Sequence, residues 1–577
     1  DYSTWYPVFK KLVAEAHRKG LQVGLQLWGN YRIVPLQHAL RLTVEHELTL
    51  DASGQASLTA TAKYIRFPDR LLKSDLLKVY AFRKTGDGFY DPASLQDITA
   101  FCSSATPDIK TVQVHINAGS SLAGYTVCVM TQEYCSQSSN YGSDEVRRFT
   151  EAMDRYRDIP FDGFALDEYG NKFVSRIADM PKNDIEFRGR WYAPAMEKVF
   201  RERTGKDLLM TLFQGRYAPA GKPEIRMKAI NQYMDFMREG ANRIEKAIYD
   251  YSRKTWGTRI FNGIHNTYHN SLINDEIWAN GIGWWEAPRA YGQTDEKTPT
   301  STQMGIAMAH PMNAMYNQYY DAVLPPVIAK ALNDLRYGIR THYHAMNDKR
   351  PLRFDLEMPE AIDSINIVEN CARLLNRFNP LLPDTRVLVV FGMEALCNWY
   401  PNLADRGVYD INDKIQAEER AHAVWNAGYL DALVPSTLIT NGTLHLNAAG
   451  KPEMHGQVFD AVIYLNPQYA KEKELQFLET YQQKGGKLML QGTADHDFSG
   501  NNIRERFAKI LEKATVKQFD IARLQELGVQ PNALPDGCRN RDGSVTFTNL
   551  SSIRTNTDAS FSIQLAGRTY QGTYRGL

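Results

Sequence analysis

Asp167 and Glu168 stand side by side in "FDGFALDEYGN", residues 161–171, where an apolar stretch runs into a polar, glycine-containing loop. Adjacent carboxylates repel each other, and burial raises the cost of ionising either one. A chain carries such a pair at a metal site, at a catalytic acid, or at a strand end close to water. Glu168 fits a general acid, because the apolar stretch before it and the neighbouring Asp167 both push a carboxyl group toward its protonated form. Asp167 either supplies a second carboxyl group or orients the first. The plainer alternative is a strand-end acid that caps the next helix or pairs with an arginine.

A further carboxylate sits in "GWWEAP", where Trp284 and Trp285 precede Glu286. Indole faces stack on the apolar faces of sugar rings, and hydrolysis of a glycosidic bond takes two carboxyl groups flanking that bond. One protonates the leaving oxygen; the other attacks the anomeric carbon or activates water. Glu286 is the candidate for the second role. The alternative is that both tryptophans are core and Glu286 is a rim salt bridge. Asp295 and Glu296 in "GQTDEKTP" read as loop residues and are rivals, with Glu133 and Asp321 weaker ones. His265, His269, His342 and His344 can gather round a metal, yet no short ligand motif such as HExxH joins them, so binding of sugar hydroxyls is the better reading. A calcium ion held by Asp or Glu stays open. No glycine-rich phosphate loop occurs, and no organic cofactor is implied.

Such residues need a scaffold that gathers strand ends. "YPVFKKLVAEAHRKGLQVGLQLWGN" predicts an amphipathic helix with Val8, Leu12 and Ala16 on its apolar face, widened by Phe9 and Val13. Pro7 suits the first turn and Gly20 the C-cap, and a buried strand follows, ending at Trp28, Gly29 and Asn30. From about 31 to 120 the alternation of apolar and polar residues predicts an inserted antiparallel β module. "AGYTVCVMTQEYC" predicts a return to a buried parallel strand, followed by a helix and then the strand of Asp167 and Glu168. A helical region spans about 187–256, and strands at "TRIFNGIHNTYHN", "GIGWWEAPRAYG", "NAMYNQYYD" and "IRTHYHAMND" alternate with helices.

That order predicts a parallel α/β sheet. Seven strands end near Trp28, Gln132, Glu168, Tyr268, Glu286, Tyr319 and His344. A (β/α)8 TIM barrel has eight, and the remaining one is placed first, upstream of Asp1. Barrel sites lie at the carboxyl ends of the strands. This collects a catalytic set of Glu168, Glu286 and Asp167. It also collects a sugar-binding set of Trp28, Asn30, Tyr169, His265, Asn266, Tyr268, Trp284, Trp285, Asn317, Tyr319, His342 and His344, with Gln132 and Tyr134 at the end of their strand.

After about residue 380 the pattern restarts. "DTRVLVVFG", "VFDAVIYLN" and "GGKLMLQG" are strands separated by helices, which predicts a flavodoxin-like doubly wound domain. The division is a barrel over 1–380, the flavodoxin-like domain over 381–510 and a small β unit over 511–577. Cys397 in "MEALCNWY" lacks the glycine-flanked turn of a nucleophilic cysteine, so this domain reads as structural or as the seat of a homo-oligomer.

Lys+Arg 67 against Asp+Glu 66, a net charge of +1, argues against a nucleic-acid partner. No apolar stretch is long enough to span a bilayer. The six cysteines form no CxxC pair and read as free or buried thiols.

"FALDEYGN" resembles the fourth-strand acid motif of family 42 β-galactosidases, in which Asn-Glu-Tyr-Gly carries the acid/base. The carry-over holds for Glu168; Asp167 replaces the Asn. The segment from Arg386 to Gly492 is similar to that family's trimerisation domain. The inserted β module and the Asp-Glu strand end also resemble family 106 α-L-rhamnosidases. The resemblance implies a polysaccharide-degrading glycoside hydrolase with a carbohydrate substrate, and a periplasmic or extracellular setting. One departure concerns the nucleophile, which the galactosidases place on the seventh strand. Here that strand carries Asn317 and Gln318. A barrel without one carboxylate that only binds sugar, and a metal-dependent lyase or deacetylase centred on His265, His342 and His344, are the other readings.

Overall fold

The computed structural model describes residues 2–27, 34–62, 71–167, 189–257, 260–265, 283–284, 287–288, 294–295, 299–309, 315–319, 324–344, 359–378, 383–399, 416–534, 537–547, 558–565 and 568–575. Helix α1 (Tyr2–Arg18) is followed by Gly20 in the left-handed region, φ 74°, as its C-cap position requires. The face it buries is not the expected one. Tyr6, Phe9 and Val13 turn inward, while Val8 and Leu12 are 47% and 52% exposed. Both stripes have helical spacing. The aromatic one is favoured because Phe9 meets Phe161 and Tyr156 edge-on, covering more apolar area. Pro7 lies inside the helix rather than in its first turn.

Strand β1 (Gly24–Leu27) leads to the inserted module, which is a two-sheet sandwich. Its strands are β2 (Ala39–Thr49), β3 (Gln55–Thr61), β4 (Leu71–Phe82), β5 (Cys102–Ala105), β6 (Thr111–Asn117) and β7 (Thr126–Ser138). After helix α2 (Ser143–Asp154) and strand β8 (Gly163–Asp167), strand β9 (Gly189–Tyr192) returns to the module. One sheet has the order β9–β2–β7–β4 with Gln96–Asp97 at its edge; the other is β3–β6–β5. Between them Val79, Ala81, Val112, Val114, Ile116, Val127 and Val129 form a buried core.

Here the first correction falls. The strand ending near Gln132, expected to be parallel, is β7, and it pairs antiparallel with both β2 and β4. Val127 and Val129 face the sandwich, while Cys128 and Met130 face the main core. A strand buried on both faces loses the alternation that marks an antiparallel strand.

Helix α3 (Leu208–Arg216) and the 34-residue helix α4 (Pro223–Trp256) lead into β10 (Phe261–His265). β1, β8 and β10 form a parallel sheet in chain order. Leu27 and Phe164 lie on the helix-covered face, Phe164 edge-on to Trp256. The register therefore puts Gln26, Ala165, Asp167, Gly263 and His265 on the opposite face.

The segment around Glu286 is the second correction. β11 (Gly283–Trp284) and β12 (Ala287–Pro288) pair antiparallel rather than forming a parallel strand. Pro288 has no N–H to offer a ladder, which confines it to edges. The third concerns Asp295, expected in a loop: β13 (Thr294–Asp295) pairs in parallel with β14 (Met315–Tyr319). Helix α5 (Thr300–Met308) lies between them in sequence, and helix α6 (Leu324–Arg336) joins β14 to β15 (Ile339–His344), which completes this second parallel sheet. Among the described residues the parallel strands of this region are thus β1, β8, β10, β13, β14 and β15.

Helix α7 (Pro359–Phe378) leads to a second region. Its elements are β16 (Val387–Phe391), α8 (Met393–Trp399), α9 (Ala417–Asn426), β17 (Asp431–Pro435), β18 (Ala461–Leu465), α10 (Glu472–Gln483), β19 (Lys487–Gln491) and α11 (Arg504–Lys513). Four parallel strands lie in the order β17–β16–β18–β19. α5, buried throughout from Ser301 to Met308, packs from the first region onto β17. Gly305 permits this approach, since a Cβ there would stand 1.7 Å from the Leu433 carbonyl oxygen. Two antiparallel pairs close the chain, Gly537–Arg539 with Val545–Phe547 and β20 (Asp558–Leu565) with β21 (Arg568–Arg575).

Candidate active site

Asp167 is the last residue of β8, and its register partner is His265, the last of β10. In the second parallel sheet Asn317 is the partner of His342 and Tyr319 of His344. Those four share one face with Thr294, whereas Asp295 aligns with Gln318, and through it with Tyr343, on the other. Asp167 and His265 in one parallel sheet, and Tyr319, His342 and His344 in the other, lie in the carboxyl-terminal halves of their strands, with Asn317 at mid-strand; that is the end at which such sheets build sites. Trp284 lies in β11 opposite Ala287. Trp28, Asn30, Glu168, Tyr169, Asn266, Tyr268, Trp285 and Glu286 lie outside the described residues, as do His269, Glu296 and Asp321.

The β7 residues go elsewhere. Arg41 donates to Gln132 Oε1 at 3.0 Å, Gln132 to Asp75 at 2.5 Å, and the Tyr134 hydroxyl to Asp75 at 3.2 Å. The Arg41 guanidinium lies 4.5 Å from the Tyr134 ring centroid. Burial, with Asp75 adding to it, pushes the Tyr134 phenol up, and Lys73, 2.8 Å from Asp75, is raised by that carboxylate. This network joins β2, β7 and β4 across one sheet face. On the other face, buried Glu133 lines a small cleft with His46, Ser74, Lys110 and Thr131 beside the apolar Val44, Ala60 and Val112. The sequence carries no signal for either cluster, because each is assembled across strands.

A second place where ligands bind in α/β proteins is the crevice at which the strand order reverses. In the four-stranded sheet that point lies between β16 and β18. Side chains fill it. Arg238 from α4 stands 2.9 Å from Asp235 and 3.1 Å from Glu394 of α8, and Lys471 stands 2.7 Å from Asp235 and 3.1 Å from Glu394. Burial alone would raise Asp235, but Lys471 and Arg238 overcome it and hold the carboxyl below its ordinary value. Asn398 donates to Asn231 of α4 at 2.8 Å. Cys397 is buried within α8.

All six cysteines are free thiols, in keeping with the expectation. Among the described residues no group of three or more His, Cys, Asp or Glu could hold a metal ion, and no helix is long and apolar enough to cross a membrane.

No protein-family model matches the sequence, and no curated protein matches it. Solved structures do. A rhamnosidase from Novosphingobium sp. PP1Y aligns over 98% of this chain and 69% of its own, with a TM-score of 0.52 at 10% identity. A β-galactosidase from the Antarctic haloarchaeon Halorubrum lacusprofundi aligns over 64% of this chain and 59% of its own, with a TM-score of 0.39 at 12% identity. A catalytic mutant of a GH42 β-galactosidase from G. stearothermophilus aligns over 63% of this chain and 57% of its own, with a TM-score of 0.39 at 9% identity. The chain is a mixed α/β protein whose fold is similar to that of a glycoside hydrolase.

Proposed function

We propose that this chain is a glycoside hydrolase acting on an oligo- or polysaccharide, with Glu168 as the general acid. The observation that carries the reading is the register of β8 with β10. Asp167, next to Glu168 in the chain, ends a parallel strand directly beside His265. The likeness in fold to the rhamnosidase supports the same class. In this reading Glu168 protonates the leaving oxygen, and Glu286 serves as base or nucleophile. Asp295, its rival, aligns with Gln318, on the face opposite Asn317 and His342. The six parallel strands belong to a (β/α)8 barrel, and Asn317, Tyr319, His342 and His344 bind sugar hydroxyls. The four-stranded region is flavodoxin-like and structural; the filled crevice at its strand reversal supports that role.

The test is release of sugar from aryl glycosides and natural glycans by the wild type and Glu168→Gln. Loss of a general acid lowers kcat/KM by roughly 10²–10⁴ on unactivated glycosides, with much less effect where the aryl group leaves unaided. A second reading, a barrel that binds sugar without cutting it, is favoured by Asn317 and Gln318 on β14, where a carboxylate would be needed. It predicts equal oligosaccharide binding by both proteins and turnover by neither.

A further inference from the structure

Five ionisable groups meet where α4 docks on the carboxyl end of the four-stranded sheet. Asp235 and Arg238 come from α4, Glu394 from the first turn of α8, and Lys471 and Glu474 from the start of α10. The first four balance: two carboxylates lie within 3.1 Å of two cations. Glu474 is the fifth and has no cation of its own. Its Oε2 accepts from the Tyr464 hydroxyl of β18 at 2.6 Å, and its Oε1 from the Lys471 backbone N–H at 3.3 Å. Glu474 is only 1% exposed, as is Glu394. The Lys471 ammonium rests 4.7 Å from the Phe498 ring centroid, which closes the cluster from another side.

We propose that Glu474 is a proton-operated latch between the two regions: neutral, it leaves the buried cluster charge-balanced and α4 docked; ionised, it adds an unpaired negative charge and loosens the docking. Burial, reinforced by Glu394, pushes this carboxyl up to about 7, against Tyr464, Lys471 and the helix N-terminus, which favour the charged form. Because the folded value is raised, the stabilisation is fully present below the ordinary carboxylate range and is lost as pH rises through about 7. The latch is independent of the catalytic reading.

Hydrogen exchange of the full chain tests it, following the amides of α4 and α8 from pH 5 to 8 with intrinsic rates corrected. The wild type loses protection there by roughly tenfold or more as pH rises, and Glu474→Gln, fixed in the neutral form, has a clearly shallower slope, the remainder coming from other buried carboxyls such as Asp431. Equal slopes in the two proteins overturn the latch. If Glu474→Gln does not fold, Glu394→Gln serves. Removing the like charge moves the wild-type midpoint to lower pH, and an unmoved midpoint overturns the proposal.

Discussion

Asp167 and His265 are register partners at the carboxyl ends of two adjacent parallel strands, on the face opposite the helix-covered Phe164. On the proposed reading, both positions lie beside the residue that protonates the leaving oxygen. Asp167→Asn and His265→Gln are each expected to lower kcat/KM on a glycoside by roughly ten- to a hundredfold. The double variant is expected to lose less than the product of the two, because partners that work together are not additive. A double-mutant cycle on the substrate identified with the wild type checks this; strictly multiplicative losses would assign the two residues separate roles.

Gly305 is the contact on which α5 sits against β17. A methyl group there meets the Leu433 carbonyl oxygen at 1.7 Å, backbone against backbone. Gly305→Ala is expected to destabilise the chain by about 1–3 kcal/mol, the usual range for overpacking. Urea denaturation followed by tryptophan fluorescence measures it, and a midpoint equal to that of the wild type would contradict the packing.

Asp431 gives a pH dependence of its own. It is fully buried at the start of β17, its Oδ1 accepts from Ser301 of α5 at 2.9 Å, and burial pushes its carboxyl well above the ordinary value. The unfolded chain ionises this group at lower pH than the folded one. Its stabilisation is therefore complete below the ordinary carboxylate range and declines as pH rises. Asp431→Asn, which keeps the acceptor for Ser301, is expected to raise the thermal midpoint at alkaline pH and to leave it nearly unchanged in acid. A difference that grows toward acid would reverse the assignment.

The thiols can be counted. Cys128, Cys135, Cys397 and Cys538 are buried, while Cys102 and Cys371 are half-buried. Burial, together with Asp97, raises the Cys102 thiol to about 11, and burial raises Cys371. Thiolates are the reactive form. A thiol reagent at neutral pH is expected to modify Cys102 and Cys371 slowly and the other four only after denaturation. Rapid labelling of Cys397 in the folded chain would show that α8 opens.

Much of this was legible locally. The alternation of strand and helix, the C-cap at Gly20 and the strand that runs up to Asp167 each depend on a few neighbouring residues, and the sequence alone determined them. Periodicity reports which positions are buried; it does not report the partner that buries them. Val8 and Leu12 make as good a helical stripe as Phe9 and Val13, and only the rings of Phe161 and Tyr156 choose between them. β7 reads as a parallel strand because both its faces are covered, and its direction is decided by Glu47 and Tyr80, the distant register partners of Cys128. In the same way nothing near Arg238 indicates Glu394 or Lys471. The tertiary structure alone brings those charges together, because α4 is long enough to reach from β10 to the second sheet and bury them there.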